Sequence, residues 1–259
     1  MNMHCFPIQC IKIVLLTILG CVLASCATGQ RAQQMADVHV NTGIANLESG
    51  HYTAALKELF EARRLNPQDP RIPYYLGVSY YGKGLPREAA AECHKALEMK
   101  PDYSEAYNFL GLIYFEKANY KKSIECFTNA ISNILYETPE FALNNLGRAY
   151  FKMGDYETAL IHFKKALKIR PNKILPIIHM NTGALLLAMN RVNEAVHHLE
   201  RSIEIAPYIA EAHYRLGKGY LLSGDKAKAV KELKTALTLN PQSEFGIKSK
   251  DLLLSMDRQ

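Results

Sequence analysis

Small and apolar positions recur along this chain at a nearly constant spacing. A glycine preceded by leucine or threonine stands at Gly43, Gly77, Gly111, Gly147, Gly183 and Gly217, in steps of 34, 34, 36, 36 and 34 residues. Twelve residues after each comes a small residue: Ala55, Ala89, Ser123, Ala159, Ala195 and Ala229. Four further on is an apolar one: Leu59, Cys93, Phe127, Phe163, Leu199 and Leu233. Three beyond that is another small one: Ala62, Ala96, Ala130, Ala166, Ser202 and Ala236. Proline follows in five of the six copies, at Pro67, Pro101, Pro171, Pro207 and Pro241. Apolar residues three and four positions apart, such as Leu76 and Tyr80, give helical periodicity. Each unit therefore predicts helix A, a turn and helix B, with proline stopping helix B. Turn residues separate the two helices, as in Gly82-Lys83-Gly84 and Ser223-Gly224-Asp225.

A glycine inside a helix costs about 1 kcal/mol relative to alanine, so six repetitions need a common cause. A side chain of one hydrogen lets helix B approach closely, with the small residue on helix B completing the contact. One helix pair cannot bury both faces, so the copies are expected to stack on one another. The pattern resembles the tetratricopeptide repeat, whose period is about 34 residues. The resemblance implies an all-α, right-handed superhelical solenoid of six helix pairs over residues 36–241. Residues 242–259 are expected as a capping helix and tail, with Phe245, Leu252, Leu253 and Met256 on one face.

The amino-terminal end has another pattern. Ile13 to Ala24 is an uncharged, mostly apolar run of 12 residues behind Lys12. A membrane span needs about 20, so residues 1–25 read as a signal peptide. Leu23-Ala24-Ser25-Cys26 resembles the bacterial lipoprotein box. That implies cleavage before Cys26, a thioether diacylglycerol on Cys26 and acylation, as by palmitate, of the new amino terminus. Residues 26–35 are then a lipidated cysteine and short tether. Ala27 is not the aspartate linked to inner-membrane retention, which is compatible with outer-membrane sorting. Nine tether residues, Ala27 to Met35, reach at most about 30 Å.

Charge and candidate chemistry narrow the function. The formal net charge is +6, and loss of residues 1–25 removes only Lys12, leaving +5. That mild, interspersed balance is poor support for nucleic-acid binding. No phosphate loop, GxSxG, HExxH or CxxC occurs. His197 and His198 are adjacent and point to different helix faces. His39, His179 and His213 share the fourth position of helix A, which reads as packing. Cys93 and Cys126 fall at packing positions of helix B. No enzyme, no metal site and no cofactor beyond the lipid are expected.

What remains is surface. In a solenoid of this kind the second, fifth, ninth and twelfth positions of helix A line the concave face. The expected partner-binding groove comprises Tyr74, Val78 and Tyr81 from repeat two and Asn108, Leu112 and Phe115 from repeat three. Repeat four adds Asn144, Arg148 and Phe151 with Lys152 beside them. Repeat five adds Met180, Ala184 and Leu187, and repeat six adds Tyr214, Lys218 and Leu221. This is an apolar, aromatic groove with a basic centre, suited to an amphipathic helix or extended peptide. Some co-chaperone repeats clamp a C-terminal carboxylate. Asn181 and Arg215 match that scheme in part, but Val40, Ile44 and Glu211 oppose it.

Six repeats behind a lipobox resemble the type IV pilus biogenesis lipoproteins, the secretin pilotins. The stretch YETPEFALNNLGRAYFKMGDYETAL, Tyr136 to Leu160, carries most of the likeness. The resemblance implies a lipoprotein anchored on the periplasmic face of the outer membrane. It would hold the pilus secretin subunit and promote its localisation and multimerisation. The alternative is a periplasmic repeat adaptor lipoprotein docking cell-wall hydrolases or outer-membrane assembly factors.

Overall fold

The computed structural model describes residues 29–170 and 173–256. The signal peptide and Cys26 lie outside the described residues. Within them the chain forms thirteen helices and no strand. The first, α1, covers residues 29–48. It is followed by α2 (Tyr52–Leu65), α3 (Arg71–Gly82), α4 (Pro86–Met99), α5 (Ser104–Glu116), α6 (Tyr120–Ser132) and α7 (Pro139–Lys152). Then come α8 (Tyr156–Lys168), α9 (Leu175–Ala188), α10 (Val192–Ile205), α11 (Ala210–Leu222), α12 (Lys226–Leu239) and α13 (Glu244–Met256). Odd-numbered helices up to α11 are the A helices and even-numbered ones the B helices.

One expectation is corrected at the amino-terminal side. Residues 29–35, read as a tether, are helical and run without a break into α1. A helix rises about 1.5 Å per residue, so this stretch spans roughly 10 Å. The reach computed for an extended tether does not apply to it.

The chain divides into two compact units, one ending at Ala106 and one beginning at Tyr107. The first unit buries Val40, Leu56, Leu59, Ala62, Ile72 and Leu76. Arg71 ties α1 to α3 there, pairing with Asp37 and Asp69. In the second unit, Leu143, Leu160, Phe163, Ile178, Leu185 and Leu186 share one core. Met180, Leu199, Leu216 and Tyr220 form the next. Sequential helices pack on each other from α6 to α13, and A helices touch through α7 and α9, then α9 and α11. The last helix packs on α12 and α11, burying Gly246 and Ser249. Phe245, Leu252, Leu253 and Met256 are half-buried along it.

The conserved register has a geometric reason in each repeat. A Cβ added at Gly111 would lie 2.5 Å from Phe127 Cε1, and one at Gly147 would lie 2.5 Å from Phe163 Cε1. At Gly43, Gly183 and Gly217 it would meet Leu59, Leu199 and Leu233, and at Gly77 it would meet the Ala89 carbonyl and Cys93 Sγ. The partner is thus the apolar residue of the same repeat's helix B, with the carbonyl of the preceding small residue close by.

The turn between A and B also repeats one conformation. Gly50, Gly84, Gly154 and Gly224 have φ of 73, 75, 82 and 85°. Ala118 and Asn190 hold the same left-handed place at φ 54 and 57°. Helix B starts are capped in three copies: Asn119, Asp155 and Asp225 accept from the amides of Lys122, Thr158 and Lys228, which satisfies an otherwise orphan donor. In repeat three, which lacks the terminal proline, Tyr136 is buried with Ala130 and Ala142 instead. The two residues before it, Ile134 and Leu135, stay exposed.

Candidate functional site

Four A helices of the second unit surround one open cleft of about 400 Å³. Phe115 comes from α5; Arg148, Phe151 and Lys152 from α7; Ile177, Met180, Asn181 and Ala184 from α9; Glu211 and Arg215 from α11. One wall is aromatic and aliphatic, and the other carries three cations and one carboxylate.

Arg148 dominates the basic side. Its guanidinium lies over the Phe115 ring, 4.6 Å from the centroid. One of its N–H groups donates to Asn145 Oδ1 at 3.1 Å. Asn145 Nδ2 in turn donates to Asn108 Oδ1 at 3.1 Å, so α5 and α7 are bridged by side chains that also orient the arginine. Burial pushes the Arg148 pKa below its ordinary value, partly offset by Glu211 and Glu116. A second amide bridge runs from Asn181 Nδ2 to Asn144 Oδ1 at 2.9 Å and joins α9 to α7. Arg215 is differently placed: its Nε donates to Glu211 at 2.8 Å, one helical turn back.

The expected groove residues separate into groups. Phe115, Arg148, Lys152 and Met180 line the cleft, as do Phe151 and Ala184. Asn144 is buried and holds Asn181, so it shapes the wall rather than presenting a free amide. Asn108 acts through Asn145. Leu112 is half-buried against the Phe127, Leu146 and Ala149 cluster. Tyr214 meets the capping helix, its ring 5.6 Å from that of Phe245. Lys218 is exposed, with Nζ 6.0 Å from the Tyr214 ring centre. Tyr74, Val78 and Tyr81 belong to the first unit and are half-buried. There Tyr74 packs on Tyr75 and Tyr103, with ring centres 4.9 and 5.2 Å away.

Ile177 and Glu211 occupy the second position of their helices, and Asn181 and Arg215 the sixth. The second position was a lining position in the repeat pattern, so Ile177 could have been found there. The sixth reaches the cleft because it neighbours the fifth on the helix surface.

The histidine position does more than pack. In repeats one and six, His39 and His213 hydrogen-bond Glu58 and Glu232 of helix B at 2.7 and 2.6 Å. In repeat five the acid is replaced, and His179 Nδ1 meets His198 Nδ1 at 2.9 Å. Both cysteines are free and buried, and burial pushes the Cys126 thiol up to about 12. Among the described residues no group of three or more His, Cys, Asp or Glu could hold a metal. None of their helices is long and apolar enough to cross a membrane.

A stack of A/B helix pairs with a side-chain-lined cleft defines a helical-repeat scaffold. The tetratricopeptide-repeat models match residues 40–104, 74–133, 141–173 and 210–243, and the chain belongs to that family. Among curated proteins it is similar to the Hsp70-Hsp90 organizing protein of Triticum aestivum, 32% identical over 36% of this chain and 16% of that protein. It is also similar to anaphase-promoting complex subunit 3 of Schizosaccharomyces pombe, 25% identical over 88% of this chain and 31% of that protein. The chain thus spans less than a third of the length of these relatives. Among solved structures, PilF of Pseudomonas aeruginosa aligns at TM-score 0.75 and 19% identity, over 85% of this chain and 98% of that one. PilW, a widely conserved type IV pilus biogenesis factor, aligns at 0.74 and 18%, over 83% and 98%. The Cut9–Hcn1 hetero-tetramer of the anaphase-promoting complex also reaches 0.75 at 19%, but over 44% of that chain. At these identities the likeness shows the fold, an all-helical tetratricopeptide solenoid.

Proposed function

We propose that this chain is a scaffold for type IV pilus biogenesis that performs no chemistry of its own. It is held to the periplasmic face of the outer membrane by lipid on Cys26. Its repeats hold a segment of the pilus secretin and promote the secretin's localisation and multimerisation. The observation that carries the reading is the cleft: apolar and aromatic side chains from four A helices beside oriented cations form a surface for a protein segment. The choice of pathway is supported by length. The alignment takes in nearly all of PilF and PilW but under half of the Cut9 complex chain, so those proteins match in extent as well as fold. Two or three acyl chains make a lasting anchor where one is reversible. Cells carrying Cys26→Ala should show secretin monomers, or multimers outside the outer membrane, on gels of unheated membrane fractions. Normal levels of heat-stable secretin multimers in the outer membrane of those cells would end the proposal.

A further inference from the structure

We infer that the cleft takes a peptide segment carrying an internal aspartate or glutamate next to an aliphatic or aromatic side chain. The acid would dock on Arg148. The inference rests on the cleft being the partner-binding surface and specifies the chemistry of what it binds.

The charges around the cleft do not balance. Arg215 is engaged by Glu211. Neither Arg148 nor Lys152 makes an ion pair among the described residues. A half-buried guanidinium without an anion is costly, because burial removes water without supplying a counter-charge. Arg148 is also pre-oriented. Phe115 lies under its face and Asn145 takes one N–H, leaving donors of the planar fork for a carboxylate. Beside it, Phe151, Ile177, Met180 and Ala184 form the apolar wall. An occupant that satisfies both sides pairs an acid with an apolar side chain.

The acid is a side chain rather than a chain end. Capture of a terminal carboxylate would draw on Arg215 and the residue at the second position of α11. That residue is Glu211, which repels an anion and already occupies Arg215. Arg148, one repeat away, is the cation left open.

The test is selection of a random displayed peptide library, joined through its C-terminus, on the full chain. Amide-capped synthetic copies of the enriched peptides are then measured by fluorescence anisotropy. Enriched peptides should carry an acid beside an apolar residue. Arg148→Gln should weaken them about ten-fold or more, and so should replacing the peptide acid by its amide. The two changes together should cost little more than either alone, and affinity should fall with salt. If Arg148→Gln unfolds the chain by circular dichroism, Lys152→Ala with the salt series reads the same attraction. Enriched peptides without acids, binding indifferent to Arg148 and Lys152, or binding only of peptides with a free C-terminus would each overturn the inference. So would self-association of the chain abolished by Arg148→Gln, since a second copy would then be the occupant. Secretin multimers in cells are scored separately. If Arg148→Gln spares them while the acidic preference holds, the pilus reading fails and the inference stands. If secretin assembly needs the chain but peptide binding ignores Arg148, the opposite holds.

Discussion

Alanine is the better helix former, so Gly147→Ala would stabilise an isolated α7 by about 1 kcal/mol. In the folded chain the new Cβ would lie 2.5 Å from Phe163 Cε1, 2.6 Å from Cδ1 and 2.9 Å from Cζ. Carbon atoms pack best at roughly 3.5–4.0 Å, so the ring or a helix must move by about 1 Å. Phe163 has no exposed surface and sits among Leu143, Leu160 and Leu186, so the ring has no solvent to turn into. Overpacking of this kind costs about 1–3 kcal/mol. With the helix gain set against it, the expected net loss is about 1–2 kcal/mol. Urea denaturation followed by circular dichroism measures it. In a Phe163→Leu background the nearest ring atoms are gone, and the same glycine substitution should cost at least about 1 kcal/mol less. Equal cost in both backgrounds, or a wild-type chain stabilised by Gly147→Ala, would refute the close-approach argument.

Ala118 holds a left-handed turn conformation that four other repeats give to glycine. Left-handed strain of about 1–2 kcal/mol, less the extra unfolded-state entropy of glycine, predicts that Ala118→Gly raises stability by about 0.5–1 kcal/mol; a lower urea midpoint would contradict it. Asp155→Ala removes the cap on α8 and should cost about 1 kcal/mol by the same measurement, whereas no loss would mean that water serves the end as well. His179 has its pKa lowered from 6.5 to about 4, first by burial and then by His198. The unfolded chain therefore takes up a proton that the folded one resists. Stability contributed above pH 6.5 is lost as pH falls towards 4. The neighbouring His197, Arg201 and Arg170 push the same way. His198→Glu restores the pair found in repeats one and six, and should flatten the fall in urea midpoint between pH 7 and 5; an unchanged slope would show that this pair does not carry the acid response.

The repeat was legible because each of its marks answers a local demand. Proline after helix B ends a helix whatever surrounds it. The small and apolar positions recur because every pair must bury the same face. The left-handed turn was visible wherever glycine filled it, and invisible at Ala118 and Asn190, whose residue types do not announce the backbone they adopt. The histidine position was seen in the sequence, but its purpose was not. Nineteen residues separate His39 from Glu58, His179 from His198 and His213 from Glu232, and only the antiparallel packing of A on B makes that separation a contact.

The groove shows the same division. Position counting named Phe115, Arg148, Lys152 and Met180, since a straight helix with a known buried side fixes which residues face away from it. It did not show that Asn144 turns into the wall, that Asn145 steers Arg148, or that Tyr214 faces a capping helix. Those outcomes depend on side chains from helices about 37 residues apart. The sequence alone determined the helix pairs and their register, because those follow from spacing within one repeat. The tertiary structure alone decided which cations keep a partner and which stand open, because a charge is balanced by whatever lies next to it in space.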